Sequence, residues 1–212
     1  MIRRPPRSTL DRSSAASDVY KRQPQTRSWH YVNLPEGVSK YSHDHCPAKG
    51  CIVSALLQQI EIFKNKDASK RKRKEALKFI GHFIGDVHNP LHIGYLSDPG
   101  GNRLEVEIWN GDKTNMHRLW DGLIPNYALT KPLMFLDVEK ASPMEIEMTH
   151  EERVIYWINE NREILLSDAV GYVARQSYAD QAYFQKNVPI AYYRMSFAGS
   201  RLAYLIEELL GN

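Results

Sequence analysis

The sequence predicts an all-α domain, a mainly helical bundle with one short β-hairpin near 103–114. Three observations predict it: apolar residues recur at three- and four-residue steps over most of the chain, two-residue alternation is confined to a few positions after Asn102, and prolines and glycine-rich turns separate the helical stretches. At 212 residues, 42% hydrophobic and 25% charged, the chain suits one domain with a full core. No run of about 18 apolar residues is present to cross a membrane, and no membrane partner is expected.

Residues 1–23 have neither hydrophobic periodicity nor the apolar stretch of a secretory signal. They resemble the translated adapter sequence that sometimes prefixes assembled transcripts. The expectation is a non-native or disordered segment, leaving 24–212 as the domain. Cys46 and Cys51 enclose four residues, a spacing that admits a local disulfide in an oxidising compartment and, nearly as readily, two unpaired buried thiols. From Cys51 to Phe63 the apolar steps predict a helix with one buried face. Lys64 to Lys74 then carries seven basic residues and is expected to be a solvated loop, with phosphate contact the weaker reading.

The helix is expected to resume at about Arg73, with Leu77, Ile80, Phe83, Ile84 and Val87 on its apolar side, and Pro90 ends it. Asp98 to Asn102 is turn chemistry. Leu104, Val106 and Ile108 alternate with Arg103, Glu105 and Glu107 as in a strand, and Asn110-Gly111 predicts the hairpin turn. Three further helices are expected at about 144–166, 168–185 and 190–210, broken by Pro143 and Pro189. Tyr183, Phe184, Ile190, Tyr193, Phe197, Leu202, Leu205 and Leu209 are expected in the core.

The formal charge of +3 is unevenly placed. Residues 1–27 hold seven basic side chains against two acidic ones, a net of +5 that leaves −2 on the remainder. Long-range attraction of a polyanion by a basic body is therefore excluded, and affinity for nucleic acid would have to come from a local site or from metal ions.

Four of the eight histidines fall between His82 and His117, interleaved with Asp86 and Asp121. His82 and Asp86 are four apart on a predicted helix, so both side chains project from one face and can ligate one ion. His117 and Asp121 repeat that spacing, and His92 lies just past the Pro90 break. Imidazole with carboxylate suits zinc. A single pair of this kind is more often an ion pair or a satisfied core histidine; two pairs with His92 between them favour a metal site. His88 to His92 has the outer spacing of a zinc-protease motif, but Asn89 replaces its glutamate and Pro90 breaks its helix. His43-Asp44, a doublet used by some phosphohydrolases, lies in a polar stretch expected to face solvent.

The strings Trp-His-Tyr-Val-Asn (29–33), Cys-Pro-Ala-Lys-Gly-Cys (46–51), His-Phe-Ile-Gly-Asp-Val-His-Asn-Pro-Leu-His (82–92), Gly-Gly-Asn (100–102) and Asn-Met-His-Arg-Leu-Trp-Asp (115–121) resemble, in order and spacing, the zinc-dependent single-strand-specific nucleases of the S-one/P-one type. Those enzymes share a fold with bacterial zinc phospholipase C. The resemblance runs from about Ser28 to the C-terminus. It implies a helical domain with three zinc ions at the bottom of a cleft. His30, His82 and Asp86 match ligands of the paired zincs, with Asp86 the bridging catalytic carboxylate. His92, His117 and Asp121 match the shell of the remaining zinc, and His88 matches no ligand. Glu36 falls where the family often places a carboxylate near the attacking water. The base pocket would draw on Lys49 in the cysteine loop and on Gly122 and Ile124 after the last aspartate, and the loop is expected to close as a Cys46–Cys51 disulfide.

The resemblance implies metal-assisted hydrolysis of single-stranded DNA and RNA to 5′-phosphate products, with 3′-nucleotides also substrates, by a monomer of secreted, lysosomal or vacuolar location. The family's terminal tryptophan, early histidine and second aspartate have no counterpart upstream of Trp29, so a missing N-terminal part, fewer than three zincs and an impaired nuclease centre are expected. The competing readings are a phospholipase C-like phosphoesterase using the same metals, and a non-catalytic helical module with structural histidines.

Overall fold

Two helices joined by a five-residue turn supply one wall of the molecule. The computed structural model describes residues 24–130, 143–171 and 178–211. Helix α1 (Ile52–Lys64) buries Ile52, Val53, Ala55, Leu56, Ile60 and Phe63, and α2 (Lys70–Val87) buries Ala76, Ile80, Phe83, Ile84 and Val87 against it. Helix α2 begins at Lys70, not at about Arg73, because the Ser69 hydroxyl accepts the Lys72 N–H at 3.3 Å and caps the first turn. The basic run is therefore half loop and half helix.

After α2 the chain makes a short 3₁₀ turn at Pro90–Ile93 and reaches the predicted hairpin, β1 (Glu105–Ile108) against β2 (Lys113–Asn115), antiparallel with Glu105 opposite Asn115. A third strand, β3 (Tyr178–Ala179), lies parallel to β1 on its other edge and was not anticipated; two residues carry no periodicity to read. Continuous helical backbone then runs through α3 (Met116–Arg118), a π-type turn at Leu119–Leu123 and α4 (Ile124–Leu129).

The C-terminal half is α5 (Pro143–Glu147), α6 (His150–Leu166) and α7 (Gln181–Gly211). Thr149 and Glu152 form a reciprocal capping box at the start of α6. The expected helix at 168–185 is not formed as such: Ser167 caps α6, β3 occupies 178–179, and residues 172–177 lie outside those described. Pro189 does not break α7. Its missing N–H orphans the carbonyl of Gln185, and both residues are exposed, so water can take that bond. Of the expected core, Tyr183, Phe184, Leu205 and Leu209 are buried, Ile190, Phe197 and Leu202 are half-buried, and Tyr193 is exposed.

Two apolar clusters result. One joins α1, α2, α6 and the end of α7, and the other joins β1, the 116–128 segment and the start of α7. Residues 87–93 cross between them, with Val87 and Ile93 in the first cluster and Leu91 in the second. The histidine-rich segment is thus held from both sides.

Candidate metal centre

His30 ends a 3₁₀ turn at Pro24–His30, and its ring lies 5.4 Å from Phe83 and 4.9 Å from His82. His82 and Asp86 are one turn apart on α2, as the four-residue spacing requires. Asp86 Oδ2 lies 2.8 Å from His30 Nδ1 and 3.1 Å from His82 Nε2, and the two nitrogens are 3.1 Å apart. Two imidazole nitrogens and a carboxylate oxygen this close need a shared cation, either protons or a metal ion. Burial alone would raise the Asp86 carboxyl, but the charge of His92 and hydrogen bonds from His30 and His82 outweigh it and hold Asp86 far below the ordinary carboxylate range. Asp86 is therefore ionised.

Residues 32–34 run beside 92–96, with Val32 N–H bonded to His92 O and Leu34 N–H to Gly94 O, which carries His30 alongside His92. His92 Nδ1 donates to His30 O at 2.6 Å, leaving Nε2 as the nitrogen open to an ion; that atom is buried, 3.4 Å from Asp121 Oδ1, and makes no hydrogen bond among the described residues. His117 Nδ1 likewise donates to Gly100 O at 2.9 Å. The two rings stack at 5.2 Å with 21° between planes. Asp121 comes from the π-type turn, one helical step beyond His117. An imidazole fixed through one N–H to a carbonyl presents its other nitrogen as a metal ligand, so this donor set fits an ion. Burial would lower His92, but Asp86 and Asp121 outweigh it and raise its pKa; burial and the neighbouring His92 lower that of His117.

Both groups, His30 with His82 and Asp86, and His92 with His117 and Asp121, have ligand atoms close enough to hold a metal ion. They adjoin: Asp86 Oδ1 is 3.6 Å from His92 Nδ1.

Several residues that make the centre possible escaped the sequence reading. Asn89 donates through Nδ2 to Asp121 Oδ1 at 3.3 Å while its own Oδ1 accepts the Leu91 N–H, tying the turn to the carboxylate. Gly100 has φ +61°, and a Cβ there would stand 2.5 Å from Leu91 O and 3.1 Å from His117 Nδ1. Arg162, fully buried, donates to the carbonyls of Val38, Ile93 and Gly94 and clamps both strands of the histidine-bearing backbone.

The remaining candidates are placed as follows. His88 is buried, donating Nδ1–H to Ile84 O and accepting from Arg201 at Nε2, so it is structural. His43 and Asp44 are exposed, His43 paired with Glu151, and neither they nor His45 joins a metal-binding group among the described residues. Glu36 is exposed, bonded to Ser97 and outside both groups. Lys49 is exposed and Gly122 half-buried with open space beside it, whereas the Ile124 side chain is fully buried, so it packs the second core and cannot face a substrate. Cys46 and Cys51 form a disulfide, with Cα atoms 5.4 Å apart.

A family model described as S1/P1 nuclease matches residues 2–211, a match that begins inside the segment set aside above. The chain is 29% identical over 207 residues to Endonuclease 2 of Arabidopsis thaliana, covering 86% of this chain and 71% of that protein. It is 28% identical over 220 residues to Endonuclease 4 of the same plant, with 88% and 71% covered. To Nuclease S1 of Aspergillus oryzae it is 32% identical over 107 residues, covering 49% of this chain and 36% of that protein.

Proposed function

The chain belongs to the S1/P1 nuclease family, whose members hydrolyse phosphodiester bonds, and on that premise we propose that it is a zinc-dependent endonuclease cutting single-stranded DNA and RNA to 5′-phosphate products and accepting 3′-nucleotides. The observation that carries the proposal is the convergence of six side chains into two adjoining groups of two imidazoles and one carboxylate. His30, His82 and Asp86 would hold one ion, and His92, His117 and Asp121 another, each set matching the three protein ligands of a zinc site with an open position. Zinc supplies there a Lewis acid that activates water and offsets charge on phosphate oxygens.

The chain's own residues prepare that chemistry. Asp86 turns Oδ2 to His30 and His82 and places Oδ1 3.6 Å from the His92 Nδ1 that donates to His30 O, so the carboxylate lies at the junction of the two groups. The carbonyls of His30 and Gly100 fix the tautomers of His92 and His117. Asn89 fixes Asp121. A cavity of about 210 Å³ borders Asp86, Asn89 and Asp121, which gives a phosphate room beside both groups. Because His30, Asp86 and His92 are buried, an unstacked strand can bring phosphorus to them and a stacked duplex cannot.

The Cys46–Cys51 disulfide supports a secreted or vacuolar location, and no helix among the described residues is long and apolar enough to cross a membrane. The test is to assay single-stranded DNA, 3′-AMP and a phosphatidylcholine analogue side by side, before and after chelation and zinc return. Zinc-restored cleavage of the first two is expected. Preference for the lipid analogue, or activity indifferent to chelation, would overturn the proposal.

A further inference from the structure

Helix α2 opens with Lys70-Arg71-Lys72-Arg73 and has no acidic residue in its first turn, although the helix dipole disfavours cations there. The two arginines are engaged: Arg71 pairs with Glu75 at 3.2 Å, and Arg73 donates to Phe63 O at 2.8 Å while lying over the Phe63 ring. The lysines are not. Every fourth residue from the start of the helix reads Lys70, Lys74, Lys78, His82, Asp86. Residues four apart lie on one ridge, each about 6 Å further along the axis. Burial along that ridge is graded: the three lysines are exposed, His82 is half-buried and Asp86 is buried. None of the lysine side chains has an ion-pair or hydrogen-bond partner among the described residues. The ridge thus carries its cations from solvent towards the candidate metal centre, winding about 120° round the helix over about 18 Å of its axis from Lys70 to His82.

We propose that Lys70, Lys74 and Lys78 form a track for the phosphate backbone of single-stranded nucleic acid leading to His82. The inference rests on the nuclease reading and extends it, since it makes the enzyme sense strand length beyond the scissile bond. Charge complementarity selects the partner. The body of the chain from Ser28 onward has a net charge of −2, so a polyanion must find local cations to approach. A membrane surface fits less well, because the apolar side chains flanking Lys78, Leu77 and Phe79, pack against the core.

The test measures binding of fluorescent phosphorothioate oligothymidylates of two and twelve residues by anisotropy across a sodium chloride series. It compares the zinc-loaded full chain with Lys70→Gln/Lys74→Gln/Lys78→Gln and with the matching triple arginine variant. Three lost phosphate contacts should reduce the slope of log affinity against log salt by roughly 2 for the twelve-mer, and its low-salt affinity roughly tenfold. The arginine variant should keep both. An unaltered slope in the glutamine variant, or equal loss in the arginine variant, would overturn the track. So would loss confined to binding of phosphatidylserine vesicles, which would assign the ridge to a membrane. Failure of the unsubstituted protein to bind either oligomer would instead strike the nuclease reading itself.

Discussion

His92 and His117 are oriented alike, each spending Nδ1–H on a backbone carbonyl so that Nε2 is free for an ion. Gly100 supplies one of those carbonyls from a left-handed conformation against Leu91. Gly100→Ala should therefore move the carbonyl and release the His117 ring, weakening zinc affinity about 10–100-fold, read by competition with a chromogenic chelator. Unchanged affinity would remove Gly100 from the centre. Asp86→Asn should lower turnover of single-stranded DNA by about 100-fold or more, because an amide cannot offset the charge of an adjacent ion; near-native turnover at saturating zinc would contradict the assignment. The pairs His82/Asp86 and His117/Asp121 were legible from their four-residue spacing on a helix, whereas His30 entered only through the family resemblance. The supports of these ligands were not legible. His30 O lies 62 residues from the imidazole it orients, and Arg162 more than 120 from Val38, so only the folded backbone brings those partners together.

Among the elements, the cysteine loop and α7 carry consequences that local sequence hid. The loop packs on Trp29, next to His30: Ser28 Oγ donates to Lys49 O, and Gly50 faces the Trp29 indole. Replacing both cysteines with serine should cost about 2 kcal/mol, the small value expected for closing so short a loop, and should loosen the ion held by His30 more than the one held by His117. Equal loss from both groups would place the loop's effect elsewhere. Helices α6 and α7 are joined by Glu160, which accepts from Arg194 and Arg201 at 2.7 Å each. Burial would raise Glu160, but those arginines outweigh it and lower its pKa from 4.5. A depressed carboxyl gives stability that is present above the unfolded value and lost as pH falls through the folded one. Glu160→Gln, which leaves the buried Arg194 guanidinium without its carboxylate while Arg201 keeps Glu145 at 2.8 Å, should thus cost about 2–4 kcal/mol in urea unfolding at pH 7, with the gap from the parent closing below about pH 4.5. A gap independent of pH would argue for packing alone. The amphipathic helices and the hairpin were readable from periodicity. The early start of α2 was missed because a serine cap overrode a run of lysines, and the continuity of α7 because an exposed proline removes a bond that water can replace.

Across the whole molecule, two apolar cores meet at the segment 87–93 and hold the ligand-bearing strands and helices against each other. This placement puts one carboxylate, Asp86, at the junction of the two histidine groups. It also gives an otherwise acidic body the concentrated positive charge that a polyanionic substrate requires, once ions are bound. The central claim is that six side chains from four stretches of chain form two adjoining zinc sites. Zinc bound per chain, determined by mass spectrometry after equilibrium dialysis of the folded protein, tests it most directly. Two ions per chain are predicted, falling to one in His82→Ala and to one in His117→Ala with helical content retained. Substoichiometric zinc in the parent protein, or the same zinc content in all three, would contradict it and leave the histidines as structural groups in a helical module.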